Sequence, residues 1–212
     1  MELKTHDLLK IKDVNQFLKD LQQNNWINEA IRRAPFVVVR RSILTSSLIP
    51  VGIRGFERSQ RFAASLSYNN ISDKISPEKI SKLKLWETNE HIRNTKIYNV
   101  LQSIDYILEQ EGLSWGPTGS TGFELVSDMS TVNKNSDLDI IIRAKKTLDL
   151  NTAIRIKEKL DEIPFVIDSL IETPEGSISL IEYSKNIYPI LLRTVNGPYL
   201  VNDPWIKASS IK

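Results

Sequence analysis

The chain has 212 residues, 41% of them hydrophobic and 25% charged, with a formal net charge of +2. This is an ordinary globular composition, long enough for one large core or two small ones. The charge is too small to mark nucleic acid as a partner. The absence of cysteine excludes a disulfide framework, a cysteine-held zinc cluster and a thiol nucleophile. The opening MELKTHDLLKIKD is charged and lacks a long apolar core, so no signal peptide is expected. No uninterrupted apolar run approaches the ~20 residues that span a bilayer. A cytoplasmic enzyme or binding protein, with no membrane and no nucleic acid, is the expectation.

Residues 1–84 read as an α/β domain. Asp13 can cap a helix carrying Val14, Phe17, Leu18 and Leu21, and a second helix from Trp26 to Arg33 is stopped ahead of Pro35. Phe36-Val37-Val38-Val39 reads as a buried strand that runs into Arg40-Arg41. A further strand near Leu48 to Ile53 runs into Arg54, Arg58 and Arg61. Arginine is the residue suited to bidentate phosphate recognition. Adjacent strand residues face opposite ways, so only one of Arg40 and Arg41 can serve a given site. His6 reads as a surface or capping residue. Pro77-Glu78 signals a helix start, followed by a lysine-rich connection where the first domain ends.

Residues 85–212 form the second domain. Ile97, Leu101, Ile104 and Leu108 recur at helical spacing, with Gly112 just past the end. A short strand near Leu113 to Trp115 leads to the Gly119-Ser120 turn, where a helix start can hold phosphate on backbone N–H groups. Asp137-Leu138-Asp139 opens the apolar run Ile140-Ile141-Ile142, and side chains two apart in a strand share a face. Paired carboxylates of this kind suit Mg²⁺. Asp149 or Asn151 can cap a helix with Ala153, Ile156, Leu160 and Ile163. Phe165 to Ile171 then reads as a strand with Asp168 buried inside it, an acid that needs a metal, a catalytic task or an ion pair to compensate. Glu172 and Glu182 are substitutes if the register differs. Leu191 to Val201 reads as a closing hairpin, with Arg193 on its first arm.

Gly-Ser, a spacer and Asp-x-Asp on an apolar strand resemble the nucleotidyltransferase superfamily built on the polymerase-beta core. The spacer is longer here, with 16 residues between Ser120 and Asp137. That spacing, the Ser-Asp-Leu-Asp wording, His6-Asp7-Leu8-Leu9, the Val-Val-Arg-Arg stretch and Pro50-Val51-Gly52-Ile53-Arg54-Gly55 resemble the malonate decarboxylase holo-acyl-carrier-protein synthases, or phosphoribosyl-dephospho-CoA transferases. The resemblance covers most of the chain. It implies an α+β fold: a nucleotidyltransferase core with a mixed sheet, plus a smaller N-terminal α/β domain.

It also implies a reaction. The phosphoribosyl-dephospho-CoA group passes from triphosphoribosyl-dephospho-CoA to a serine of the acyl-carrier subunit of malonate decarboxylase, releasing pyrophosphate. Asp137, Asp139 and Asp168 would be catalytic and hold Mg²⁺; Gly119, Ser120, Arg54, Arg58 and Arg61 would bind the donor. The alternatives are a nucleotidyltransferase that uses ATP or another nucleotide, and a non-catalytic nucleotide- or partner-binding protein.

Overall fold

The computed structural model describes residues 2–19, 21, 25–57 and 59–206. Two sheets divide the chain. The first has the order β4-β3-β2-β1-β5 and is built from β1 (Leu8–Ile11), β2 (Phe36–Val39), β3 (Leu48–Arg54), β4 (Arg61–Ser67) and β5 (Ile71–Ile75). Every pairing in it is antiparallel. The expected α/β character of this half is therefore corrected to α+β: no two neighbouring strands are parallel, and helices α1 (Val14–Lys19) and α2 (Asn25–Arg33) join the antiparallel pair β1 and β2 rather than serving a parallel crossover.

Successive strand residues face opposite ways, and β1 and β2 in the middle of this sheet bury residues on both sides. Leu9, Val37, Val39, Val51 and Ile53 pack with Phe17, Ile27 and Ile31 of the two helices. Leu8 and Phe36 turn the other way and join the core of the second unit. That explains why β2 reads as an unbroken apolar run. Asp13 caps α1 by accepting from Gln16 N–H at 2.9 Å.

Helix α3 (Pro77–Lys82) is capped by Ser76, which accepts from Lys79 N–H at 3.2 Å. It lies on the second sheet: Ser81 Oγ donates to the Trp115 carbonyl, and a Cβ at Gly116 would stand 1.9 Å from the Pro77 carbonyl oxygen. Only glycine permits that approach. After the short helix α4 (Glu90–Arg93), helix α5 (Lys96–Gln110) buries the predicted stripe Ile97, Leu101, Ile104 and Leu108.

The second sheet has the order β11-β10-β9-β8-β7-β6: β6 (Ser114–Pro117), β7 (Leu138–Arg143), β8 (Ile167–Glu172), β9 (Ser177–Ser179), β10 (Ile190–Thr194) and β11 (Gly197–Val201). It is mixed, with β7 and β8 parallel and its other pairs antiparallel. The parallel pair needs a crossover, supplied by α7 (Leu150–Asp161), whose cap is Asp149 accepting from Thr152 N–H at 3.0 Å. Helix α6 (Gly119–Ser127) joins β6 to β7, and α8 (Leu180–Ser184) follows β9. Leu138, Ile140 and Ile142 turn one face of β7 into the core shared with α5 and α7. The opposite face carries Asp139, Ile141 and Arg143, and this face holds the polar chemistry.

Candidate active site

β7 begins at the Asp-x-Asp motif. Thr118 N–H donates to the Asp139 carbonyl at 2.8 Å, tying the start of α6 to the strand. Gly119 follows with φ +57, and a Cβ there would lie 1.9 Å from Asp139 Oδ2. The expected Gly119-Ser120 turn thus touches the acid, and glycine is required both by its backbone angle and by the space. No side chain caps α6, so its first-turn N–H groups end beside Asp139. Ser120 is buried in that turn, and its carbonyl accepts from Thr131 Oγ1 at 2.9 Å.

The third acid comes by register. β8 lies parallel to β7 with Asp139 opposite Asp168, Ile141 opposite Leu170 and Arg143 opposite Glu172. Burial first, then the negative charges of Asp137 and Asp168, push the Asp139 carboxyl above the usual carboxylate range. Arg61 and Arg54 oppose that push. Asp168 itself is exposed, which corrects the expected buried aspartate: the buried residues of β8 are Ser169 and Ile171, on the alternate face. What brings Asp168 to the site is its strand partner, not desolvation.

Two of the three candidate donor-binding arginines are brought to the acids. Arg54 ends β3 and Arg61 starts β4, directly opposite each other in register. Like charges facing across strands are unfavourable unless negative charge is near, and Asp139 supplies it. The turn between them is tight: Gly55 N–H donates to Gln60 O at 2.9 Å, and a Cβ at Gly55 would meet the Gln60 side chain at 2.4 Å. Arg58 lies outside the described residues. Among the described residues no three acidic or histidine side chains converge as a complete metal cage.

The comparison with known proteins decides the family. The model for the phosphoribosyl-dephospho-CoA transferase MdcG C-terminal domain matches residues 84–204, and that for the N-terminal domain matches residues 4–77. The chain belongs to the phosphoribosyl-dephospho-CoA transferase family. Relatives bearing that name include one from Pseudomonas putida, 33% identical over 94% of both chains. One from Pseudomonas fluorescens is 32% identical over 94% of this chain and 93% of its own. One from Klebsiella pneumoniae is 30% identical over 94% of this chain and 95% of its own. No solved structure matches. The family match includes the first sheet, so the unit that carries Arg54 and Arg61 is part of the family's architecture.

One residue of this transferase-family site escaped the sequence reading. Glu124 on α6 is 1% exposed, and its Oε2 accepts from Thr131 N–H and Val132 N–H, both at 2.7 Å. Its Oε1 meets His91 Nδ1. The long spacer before Asp137 is thus pinned to α6 at three points, counting Thr131 Oγ1 to Ser120 O. The signal was a lone acid in the apolar run Phe123-Glu124-Leu125-Val126.

Other candidates are placed elsewhere. Glu172, offered as a substitute for Asp168, sits at the far end of β8 in a bidentate pair with Arg41, at 2.8 and 2.5 Å. Glu182 accepts from Leu191 N–H at 3.4 Å, joining α8 to β10. Arg193 is on β10, opposite Ser177 and Pro198. His6 is not a surface residue: burial, then the charges of Arg41 and Arg143, hold its imidazole down to about 4.

Proposed function

We propose that the chain transfers the phosphoribosyl-dephospho-CoA group from triphosphoribosyl-dephospho-CoA to a serine hydroxyl on the acyl-carrier subunit of malonate decarboxylase. The observation that carries this is the family match over both units, joined to the charges of Asp137, Asp168, Arg54 and Arg61 that act on Asp139. The helix and strand order α5-β6-α6-β7-α7-β8, with acids on β7 and β8, supports assigning the second unit as a nucleotidyltransferase core.

The serine oxygen attacks the phosphorus nearest the ribose. A phosphodiester P–O bond forms, the bond to the next phosphate breaks, and pyrophosphate leaves. Asp168, exposed beside Asp139, is open to the acceptor and is assigned to receive the serine proton. The uncapped N–H groups of α6 hold phosphate oxygens, and Gly119 lets the backbone come close. Arg54 and Arg61 neutralise the departing phosphates, which is most of the task in phosphoryl transfer. Mg²⁺ fits the donor set, which is all oxygen and sets three acids against two arginines around Asp139. Asp137 and Asp139 would hold it, with Asp168 adjacent, and when bound it supplies charge neutralisation on the phosphates.

Among the described residues no helix is long and apolar enough to cross a membrane, and we place the reaction in the cytoplasm. The test is incubation with Mg²⁺, the donor and the apo carrier, followed by mass spectrometry of the carrier. A mass gain equal to phosphoribosyl-dephospho-CoA is expected. A carrier that stays unmodified with this donor but is nucleotidylated from ATP would overturn the assignment.

A further inference from the structure

A cavity of about 1370 Å³ opens at the other end of the ribbon that carries the acids. Along β7 and β8 the paired residues run Asp139/Asp168, Ile141/Leu170, Arg143/Glu172 on one face. The first pair belongs to the active site and the last lines the cavity. Arg143 lies four positions along the strand from Asp139, roughly 13 Å of extended chain.

The cavity has a polar floor and a cationic, partly apolar rim. On the floor, Arg143 donates from Nε to Glu78 Oε1 at 2.6 Å and from Nη2 to the Thr5 carbonyl at 2.9 Å. Asp7 accepts from Lys4 N–H at 3.0 Å and lies 3.6 Å from Lys74 Nζ. Three buried polar atoms there have no hydrogen-bond partner: Arg143 Nη1, Asp7 Oδ1 and Glu78 Oε2. Asp7 is fully buried and Arg143 9% exposed. With Arg41 and Glu172, the floor carries three cations and three carboxylates, so it offers one donor and two acceptors without net charge. Such a floor suits an uncharged group with both N–H or O–H donors and a carbonyl, that is, an amide.

The rim differs. Arg40, Lys145 and Lys146 are exposed and form no ion pair among the described residues. Glu2 and Glu175 also line the opening, Glu2 beside Lys4 at 3.9 Å. Ile43, Leu44 and Val195 add exposed apolar surface. Three unpaired cations above an amide-binding floor describe a ligand with phosphate at one end and an amide-bearing arm at the other.

We propose that this cavity holds the diphosphate-pantetheine arm of a coenzyme A-type donor, with the amides and hydroxyl on the Asp7–Glu78–Arg143 floor and the diphosphate at Arg40, Lys145 and Lys146. This rests on the transfer reading above and extends it. Arg54, Arg61 and the start of α6 hold the triphosphate, and the far end of the same sheet face selects the coenzyme half. A simple nucleotide lacking the arm would leave the floor unengaged.

Isothermal calorimetry of the full chain with dephospho-CoA, which has the arm but no triphosphoribosyl group, tests it. Wild type should bind dephospho-CoA. The double variant Lys145→Glu/Lys146→Glu, changed only at exposed positions, should bind at least tenfold more weakly. In turnover, the same variant should raise KM for the donor at least tenfold and leave kcat near wild type. Failure of wild type to bind dephospho-CoA, or equal binding by the variant, would overturn the cavity assignment. So would AMP competing as well as 4′-phosphopantetheine, which would place the adenosine end there. If wild type never modifies a carrier, the transfer reading falls by itself, and calorimetry still decides the cavity.

Discussion

Gly119→Ala isolates the contact on which the site depends. The added methyl would stand 1.9 Å from Asp139 Oδ2 and 2.8 Å from its Cγ, on a backbone at φ +57. A left-handed conformation costs a residue with a side chain roughly 1–2 kcal/mol. Driving the carboxylate off its rotamer adds about 0.5–1.5 kcal/mol. The sum, roughly 1.5–3.5 kcal/mol, corresponds to a fall of about 3–14 °C in Tm for a chain of this size. The chemical penalty is larger, because displacing a reacting group by about 1 Å costs on the order of a hundredfold in rate. Transfer to the carrier, followed by mass spectrometry, should therefore fall about a hundredfold while circular dichroism stays native. Stability should show coupling with Asp139. In an Asp139→Ala background the overlap with the carboxylate is gone and only a 3.1 Å approach to Cβ is left, so Gly119→Ala should cost little beyond its backbone share, and the cycle should be non-additive by about 0.5–1.5 kcal/mol. Near-wild-type turnover in Gly119→Ala, or strict additivity with Asp139→Ala, would refute the contact.

Asp137→Asn and Asp139→Asn should each abolish transfer with the fold intact, since charge rather than volume is removed; substantial turnover at saturating Mg²⁺ would count against the metal assignment. Arg54→Ala and Arg61→Ala should each weaken donor binding by about one to two decades, the cost of a lost charge-assisted contact. Carrier affinity should be unchanged, and separate titrations of donor and carrier check this. Glu124→Ala leaves two buried N–H groups unpaired, at about 1–3 kcal/mol each, and should expose residues 128–137 to limited proteolysis; a variant as resistant as wild type would show that the clamp is dispensable. His6 gives a pH signature. Its folded pKa, about 4, lies below the ordinary 6.5, so acid protonates the unfolded chain first. Stability should then fall as pH drops from about 6.5 to about 4, by at most about 3 kcal/mol. His6→Asn, which tolerates the φ of +74 at this position, should flatten that slope in urea titrations at pH 7 and 5, and an unchanged slope would reject the assignment.

The sequence by itself determined what depends on local periodicity and local chemistry. The α5 stripe, the Asp149 cap, the β2 run and the Gly119-Ser120 turn are each legible within a dozen residues, because helix and strand spacing and capping are short-range effects. The Asp-x-Asp face is legible for the same reason. Strands β4 and β5 were not: Arg61–Ser67 reads RFAASLS, with Leu66 its one buried residue, and its strand character comes from pairing along β3. Only tertiary structure decided which acids and bases meet. Asp168 reaches Asp139 through parallel register across the α7 crossover, although it is exposed rather than buried. Glu172, four residues on, is claimed instead by Arg41, 131 positions away in the chain. Glu124 is buried, and His6 half-buried, by surfaces folded over them from other elements. Such contacts are fixed by which faces close on each other, and a one-residue slip of β8 would turn Asp168 to the core face and Ser169 to the site.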